Sequence, residues 1–220
     1  MPGREPSAMT AAGGAGGAGH RLPTDTDDGL LLIISGPSGV GKTTITRAVE
    51  RAIPGAVFSV SVTTRQKTAG DVEGVDYHFV SDAEFDRLVA DDELLEWAEV
   101  FGRRYGTPRK WADEQLRRGR LVILEIDVKG ARQVKERMPG AFGVFILPPS
   151  EEALLQRLRA RRRDTEEAIA RRFAEAQREI AEAKACGAYD AFVVNDELER
   201  AIEEAVGVVR GRMGIMKDEG

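Results

Sequence analysis

The sequence has little of what several chemistries require. A single cysteine in 220 residues, Cys186, rules out a disulfide within the chain and a thiolate metal site, and reads as a small packing side chain. No apolar run approaches the roughly 18 residues that cross a bilayer. The first residues carry no apolar signal-peptide core, which predicts a cytoplasmic protein with no membrane partner. Positive charge is not in excess either: 32 Lys and Arg against 37 Asp and Glu give a net charge of −5, so nothing draws the chain as a whole to nucleic acid. An anion has to be bound locally. With 42% hydrophobic and 31% charged residues, what remains has the profile of an ordinary globular domain.

Residues 1–28 are dominated by Gly, Ala, Pro, Thr and Asp and include the run AAGGAGGAG from Ala11 to Gly19, a composition that predicts a disordered tail. At Leu30 the character changes. LLLII is a short continuous apolar run, as expected of a strand covered on both faces. Further runs at Val57–Val62, Leu121–Ile126, Val144–Leu147 and Ala191–Val194 predict more strands. Helical patterns lie between them: Thr43–Ala52, Glu151–Leu158, Thr165–Lys184, and a last helix striped by Leu198, Ile202, Val206 and Val209. Ser81 followed by Glu84 is a capping box that opens another helix, carrying Phe85, Leu88 and Val89. Strands alternating with helices predict an α/β fold: a parallel sheet with helices on both faces, binding ligands outside the carboxyl ends of its strands.

One motif sits where such a fold would use it. Gly36, Pro37, Ser38, Gly39, Val40, Gly41, Lys42 and Thr43 fit GxxxxGK[ST] in full, between a buried strand and a helix start, with Thr44 following. Its glycines let successive N–H groups turn toward an anion, and the helix dipole adds about half a positive charge. Lys42 should reach the β- and γ-phosphates of a nucleotide, and the Thr43 hydroxyl should ligate Mg²⁺. A phosphate loop alone does not separate a kinase from a GTPase, an ATPase or a regulatory switch. Glu125 and Asp127 are a second signal: two acidic residues close an apolar strand, and their spacing predicts that they share one face of it. Glu96 taken alone reads as a charge on a solvated helix face, and Tyr77 and Tyr105 taken alone as partly buried packing residues.

The blocks GPSGVGKTT, SVTTR ending at Arg65, GVDYHF from Gly74, ELLEWAEV from Glu93, RYGTP from Arg104, LEIDVKGAR from Leu124 and VND ending at Asp196 resemble, in order and spacing, the guanylate kinases. The resemblance implies a P-loop three-layer core (29–60, 116–154 and 172–214), a GMP-binding insertion (61–115), a small helical lid (155–171) and a C-terminal tail (215–220). It implies transfer of the γ-phosphoryl group of ATP, with Mg²⁺, to GMP and dGMP in purine nucleotide metabolism, with ATP and GMP as partners and a homodimer left open. In that reading Glu96 and Asp127 accept guanine's N1–H and 2-amino donors, while Ser61 and Thr107 serve O6. Arg65, Tyr77 and Tyr105 hold the GMP phosphate, and Glu125 lines the acceptor site or holds the Mg²⁺ water shell. Arg157, Arg161 and Arg172 face the triphosphate, Lys42, Arg161 and Arg172 being catalytic, and Asn195 lines the adenine side. Arg159 and Arg178 read as solvated charges. No general base is needed, because the accepting oxygen is already ionised.

Two departures from the family pattern stand out. Thr68 occupies the place of a second phosphate-binding arginine, with Lys67 as the nearby cation, and Arg162 and Arg163 replace the Gly-Thr pair after the lid arginine. A peptide-binding relative without catalysis would have a degraded phosphate loop, and a GTPase would carry an Asn-Lys-x-Asp stretch. This chain has an intact Lys42 and Thr43 and lacks that stretch. A nucleoside monophosphate kinase of other base preference stays open at this point.

Overall fold

A computed structural model describes residues 29–100, 102–160 and 165–215. The predicted N-terminal tail, residues 216–220 of the predicted C-terminal tail, Arg161 and the Arg162–Arg163 pair therefore lie outside the described residues, whereas Ile215, assigned to that tail, packs against the core. The first half of the chain forms β1 (Leu30–Ser35), α1 (Lys42–Ala52), β2 (Val57–Phe58), β3 (Val62–Thr63), β4 (His78–Phe79), α2 (Asp82–Ala90), β5 (Leu94–Val100) and β6 (Arg103–Pro108). The second half forms α3 (Arg109–Arg117), β7 (Leu121–Glu125), α4 (Val128–Arg137), β8 (Phe142–Leu147), α5 (Glu151–Ala160), α6 (Glu166–Ala185), β9 (Ala191–Val194) and α7 (Leu198–Met213). No helix among the described residues is long and apolar enough to cross a membrane.

Five strands make a parallel sheet in the order β2-β7-β1-β8-β9. The central strand explains its own sequence. Leu32 and Ile34 of β1 pack with Ile45 and Val49 of α1 and Ala205 and Val209 of α7. Leu31 and Ile33, pointing the other way, pack with Ala131 and Val134 of α4 and Ala183 of α6. Both faces are covered, so alternation between apolar and polar residues is lost and a continuous apolar run results. Truncating Ile33 or Ile34, each almost fully buried, to Ala would cost about 2–5 kcal/mol.

The predicted strand Val57–Val62 is instead two strands in two sheets. Val57 and Phe58 pair with Val122 and Ile123 of β7, whereas Val62 and Thr63 cross to a second sheet, pairing with Gly106 and Tyr105 of β6 and with His78 and Phe79 of β4. An apolar run records burial and not the change of partner, so the break at Ser59 to Ser61 left no mark on the pattern. The second sheet, β4-β3-β6-β5, packs Val62 and Leu94 against Phe85 of α2. That helix begins as its capping residues predict, with Ser81 Oγ accepting from Glu84 N–H at 3.2 Å.

Candidate active site

At the end of β1 the chain turns through Gly36 to Gly41 into α1. Gly41 takes left-handed backbone angles (φ 96°, ψ 16°) immediately before the first helical residue, a conformation that strains any residue with a Cβ. No side chain caps α1, so its first amides are left for an anion at the helix N-terminus. Lys42 Nζ folds over the loop and donates to the carbonyls of Gly36 (2.5 Å) and Pro37 (3.1 Å). Thr43 Oγ1 donates to Glu125 Oε1 at 2.8 Å, while Glu125 Oε2 is buried with no hydrogen-bond partner among the described residues. Two distant segments steady the loop. Arg172 of α6 donates to Ser38 Oγ at 2.6 Å, beside a cleft of about 870 Å³ that Arg171, Glu175 and Arg178 also line. Asn195, buried just past β9, donates its amide to Val40 O at 2.7 Å, and its own carbonyl accepts from Arg157 Nη2 at 2.8 Å.

In front of the loop lies a cavity of about 290 Å³. Gly36 and Lys42 form one wall with Glu125, Ile126 and Asp127 at the end of β7; Glu96, Ala98 and Val100 of β5, Tyr105 of β6, Ser61 and Tyr77 form the other. The two sheets thus meet across it. Glu96 is 3% exposed and points inward from a strand, unlike the solvated helix charge that it resembles when taken alone. Its Oε1 accepts from Thr107 Oγ1 at 2.7 Å. Burial pushes its carboxyl up to about 7, the nearby Asp127 charge adding to the shift and Thr107 donation and Arg137 opposing it. Asp127 caps α4, its Oδ1 accepting from Gly130 N–H at 2.8 Å. Position 130 has no room for a side chain: a Cβ there would stand 2.4 Å from Glu96 Oε2 and 3.4 Å from Asp127 Oδ1. Two carboxylates therefore converge on the cavity at the start of one helix.

Comparison with known proteins accounts for this combination of phosphate loop and carboxylate-lined cavity. The guanylate kinase family model matches residues 29–210. A guanylate kinase of Symbiobacterium thermophilum is 51% identical over 181 residues, 82% of this chain and 84% of that protein. One of Thermobifida fusca is 47% identical over 88% of this chain and 94% of its own length. A crystal structure of guanylate kinase from Anaplasma phagocytophilum superposes with a TM-score of 0.67 at 34% identity, covering 87% of this chain and 89% of that one.

The chain belongs to the guanylate kinase family.

In this member of the family, the residues singled out from sequence occupy several distinct settings. Ser61, Tyr77, Glu96, Tyr105, Glu125 and Asp127 line the cavity with Lys42 and Gly36. Glu125 and Asp127 reach it differently from the prediction: β7 ends at Glu125, and Asp127 lies beyond it as the cap of α4, so a strand face does not relate them. Thr107 stands behind Glu96, 1% exposed, with its one hydroxyl proton given to that carboxylate, so it is not a cavity-wall donor to O6. The Asn195 side-chain amide donates into the phosphate loop, and Arg157 donates to the Asn195 backbone carbonyl. Arg65 sits beside Tyr77, its guanidinium 5.0 Å from that ring, and is bound to Asp71. Lys67 is exposed and makes no hydrogen bond or ion pair among the described residues. Four contributors carry little or no signal in the sequence: Ala98 and Val100 give none, Gly130 is recognisable only through Glu96, and Asp71 is marked only by the Gly-Asp turn pattern it forms with Gly70.

Proposed function

We infer that this guanylate kinase binds GMP in the cavity between its two sheets and ATP on the phosphate loop, and transfers the γ-phosphoryl group from one to the other. The buried carboxylate of Glu96 and the partly exposed one of Asp127, lining one cavity with Lys42, carry the reading. Guanine offers N1–H and a 2-amino group, two adjacent donors, whereas adenine offers an acceptor at N1. A desolvated acceptor such as Glu96 rejects the wrong base strongly, because that base leaves acceptor facing acceptor. Ser61 supplies the hydroxyl for O6, and Tyr77, Tyr105 and Arg65 take the acceptor phosphate.

The Mg²⁺ that accompanies ATP fits the oxygens present. Thr43 Oγ1 and the unpartnered, buried Glu125 Oε2 are hard donors at the loop, the kind that hold this ion directly or through water. Bound there, Mg²⁺ would neutralise charge on the β- and γ-phosphates. The protein's own part is alignment and charge. Lys42 would exchange its carbonyl contacts for phosphate oxygens, α1 would direct its N-terminal amides at the β-phosphate, and Arg172, with Arg157 and Arg161, would cover the γ-group. The accepting phosphate oxygen is already an anion and needs no base. His78, exposed beside Glu73, is outside this chemistry.

A coupled assay with ATP and Mg²⁺ that offers GMP, dGMP, AMP, CMP and UMP in turn tests the proposal. GMP and dGMP should react and the others should be at least about a hundredfold poorer, as expected where a buried polar group is left unmatched. Equal use of AMP would overturn the assignment of Glu96 and Asp127. Lys42→Ala should abolish turnover and leave the fold intact, since this side chain packs no core.

A further inference from the structure

The segment from Arg65 to Asp71 closes on itself. Asp71 takes both ends of the Arg65 guanidinium, Nη1 donating to Oδ2 at 3.0 Å and Nη2 to Oδ1 at 2.8 Å. The same Oδ2 accepts from the Thr68 backbone N–H and from Thr68 Oγ1, both at 2.7 Å. Asp71 N–H in turn donates to Thr68 O at 3.1 Å. The carboxylate therefore has donors on both oxygens and is tied to a backbone three residues away. Donation from Arg65 first, and from Thr68 second, holds its carboxyl well below the usual range. On its other side the guanidinium meets aromatic rings, 5.0 Å from Tyr77 and 5.4 Å from Phe79, and Tyr77 lies 5.6 Å from Tyr105.

A guanidinium has five N–H donors. Asp71 engages two and the Gln66 carbonyl a third, at 3.3 Å. Nε–H and the second Nη2–H remain, and together they form the side fork that matches two oxygens of a phosphate. Carboxylate and phosphate can thus share Arg65. Two effects of Asp71 oppose each other. Its charge reduces the pull of Arg65 on an anion, but both side chains are partly exposed, and solvent screens that loss. Ordering the arginine before the phosphate arrives removes rotamer freedom that would otherwise be lost on binding, and this gain is not screened.

We propose that Asp71, fixed by Thr68, is a positioning residue that presents the free fork of Arg65 to the acceptor phosphate. On this view Thr68 is the part of the clamp that stands where the family has its second arginine. The proposal rests on the reading of Arg65 as a ligand of the GMP phosphate, and the test separates the two.

Steady-state kinetics and calorimetric GMP binding are measured for Arg65→Ala, Asp71→Asn, the double variant and Thr68→Val, with melting temperatures alongside. Asp71→Asn should raise KM for GMP about tenfold, the loss of a well-ordered charge-assisted contact, with kcat and KM for ATP within about twofold. In the Arg65→Ala background the same substitution should add less than about twofold, since its effect passes through Arg65. Thr68→Val, which removes one hydroxyl and keeps the backbone donor, should shift GMP binding in the same direction and by less, and it serves should Asp71→Asn fold poorly. A lower KM for GMP in Asp71→Asn would show competition with the phosphate and overturn the proposal. So would an effect of equal size with and without Arg65, or one that falls on both substrates. If Arg65→Ala leaves GMP binding unchanged, the acceptor-phosphate reading fails; if Arg65→Ala weakens it while Asp71→Asn does not, only the positioning role fails.

Discussion

Glu96 carries the sharpest trade between function and stability. Its carboxyl is held near 7 against an ordinary value of 4.5, mainly by burial. A raised carboxyl binds its proton more tightly folded than unfolded, so folding is penalised once the unfolded chain loses that proton. The penalty is absent below about 4.5, grows between about 4.5 and 7 and is constant above, where the shift corresponds to about 3 kcal/mol. Glu96→Gln keeps the acceptor for Thr107 and removes the charge, so its stability gain over the parent should appear above pH 5 and level off near pH 7, up to about 3 kcal/mol in denaturant melts. The same change faces guanine's donors with a donor and should raise KM for GMP by about 10- to 100-fold. In the parent, KM for GMP should climb by up to about tenfold per pH unit below 7, and Glu96→Gln should lose that portion of the profile. Sequence brought out Glu96 only by resemblance, since burial of a lone glutamate depends on the strand pairing around it. Thr68 is the converse case: by resemblance a missing phosphate ligand, it is in three dimensions a donor to Asp71.

At the scale of elements, local signals were legible and long-range ones were not. The apolar run of β1 and the Ser81 cap of α2 each depend on neighbours within four residues, and each was read from them. The switch of sheets between β2 and β3, and the turning of Asn195 into the phosphate loop, depend on partners up to 155 positions away. Asn195 links elements: its amide fastens β9 to the loop before α1, and its carbonyl receives α5 through Arg157. Asn195→Ala leaves the buried Val40 carbonyl without its donor, at about 1–3 kcal/mol. Part should appear as a lower melting temperature and part as a less ordered loop. KM for ATP should therefore rise by about tenfold while KM for GMP stays within about twofold. Equal increases in both constants would mean that the link supports the whole sheet end and not the phosphate loop in particular.

Across the whole molecule, the cavity proposed for the acceptor is lined by residues of both sheets. The five-stranded sheet contributes the phosphate loop and the ends of β1 and β7, and the four-stranded sheet contributes Glu96, Ala98 and Tyr105. A mononucleotide that satisfies both walls binds only when the two sheets hold their folded relation, so it must stabilise the folded chain by mass action. At a GMP concentration of 100 times Kd the gain is about 2.7 kcal/mol. For a chain of 220 residues, each kcal/mol raises the melting temperature by about 2–4 °C, which predicts a shift of about 5–10 °C. AMP at the same concentration should shift it by less than about 1 °C, because it leaves the buried Glu96 carboxylate facing an acceptor. Glu96→Gln should start from a higher melting temperature at pH 8 and respond less to GMP, so the two effects of one carboxylate separate in a single pair of melts. If AMP stabilised the parent as much as GMP does, recognition would rest on the phosphate and ribose alone, and the converging carboxylates at the start of α4 would have to be explained by folding.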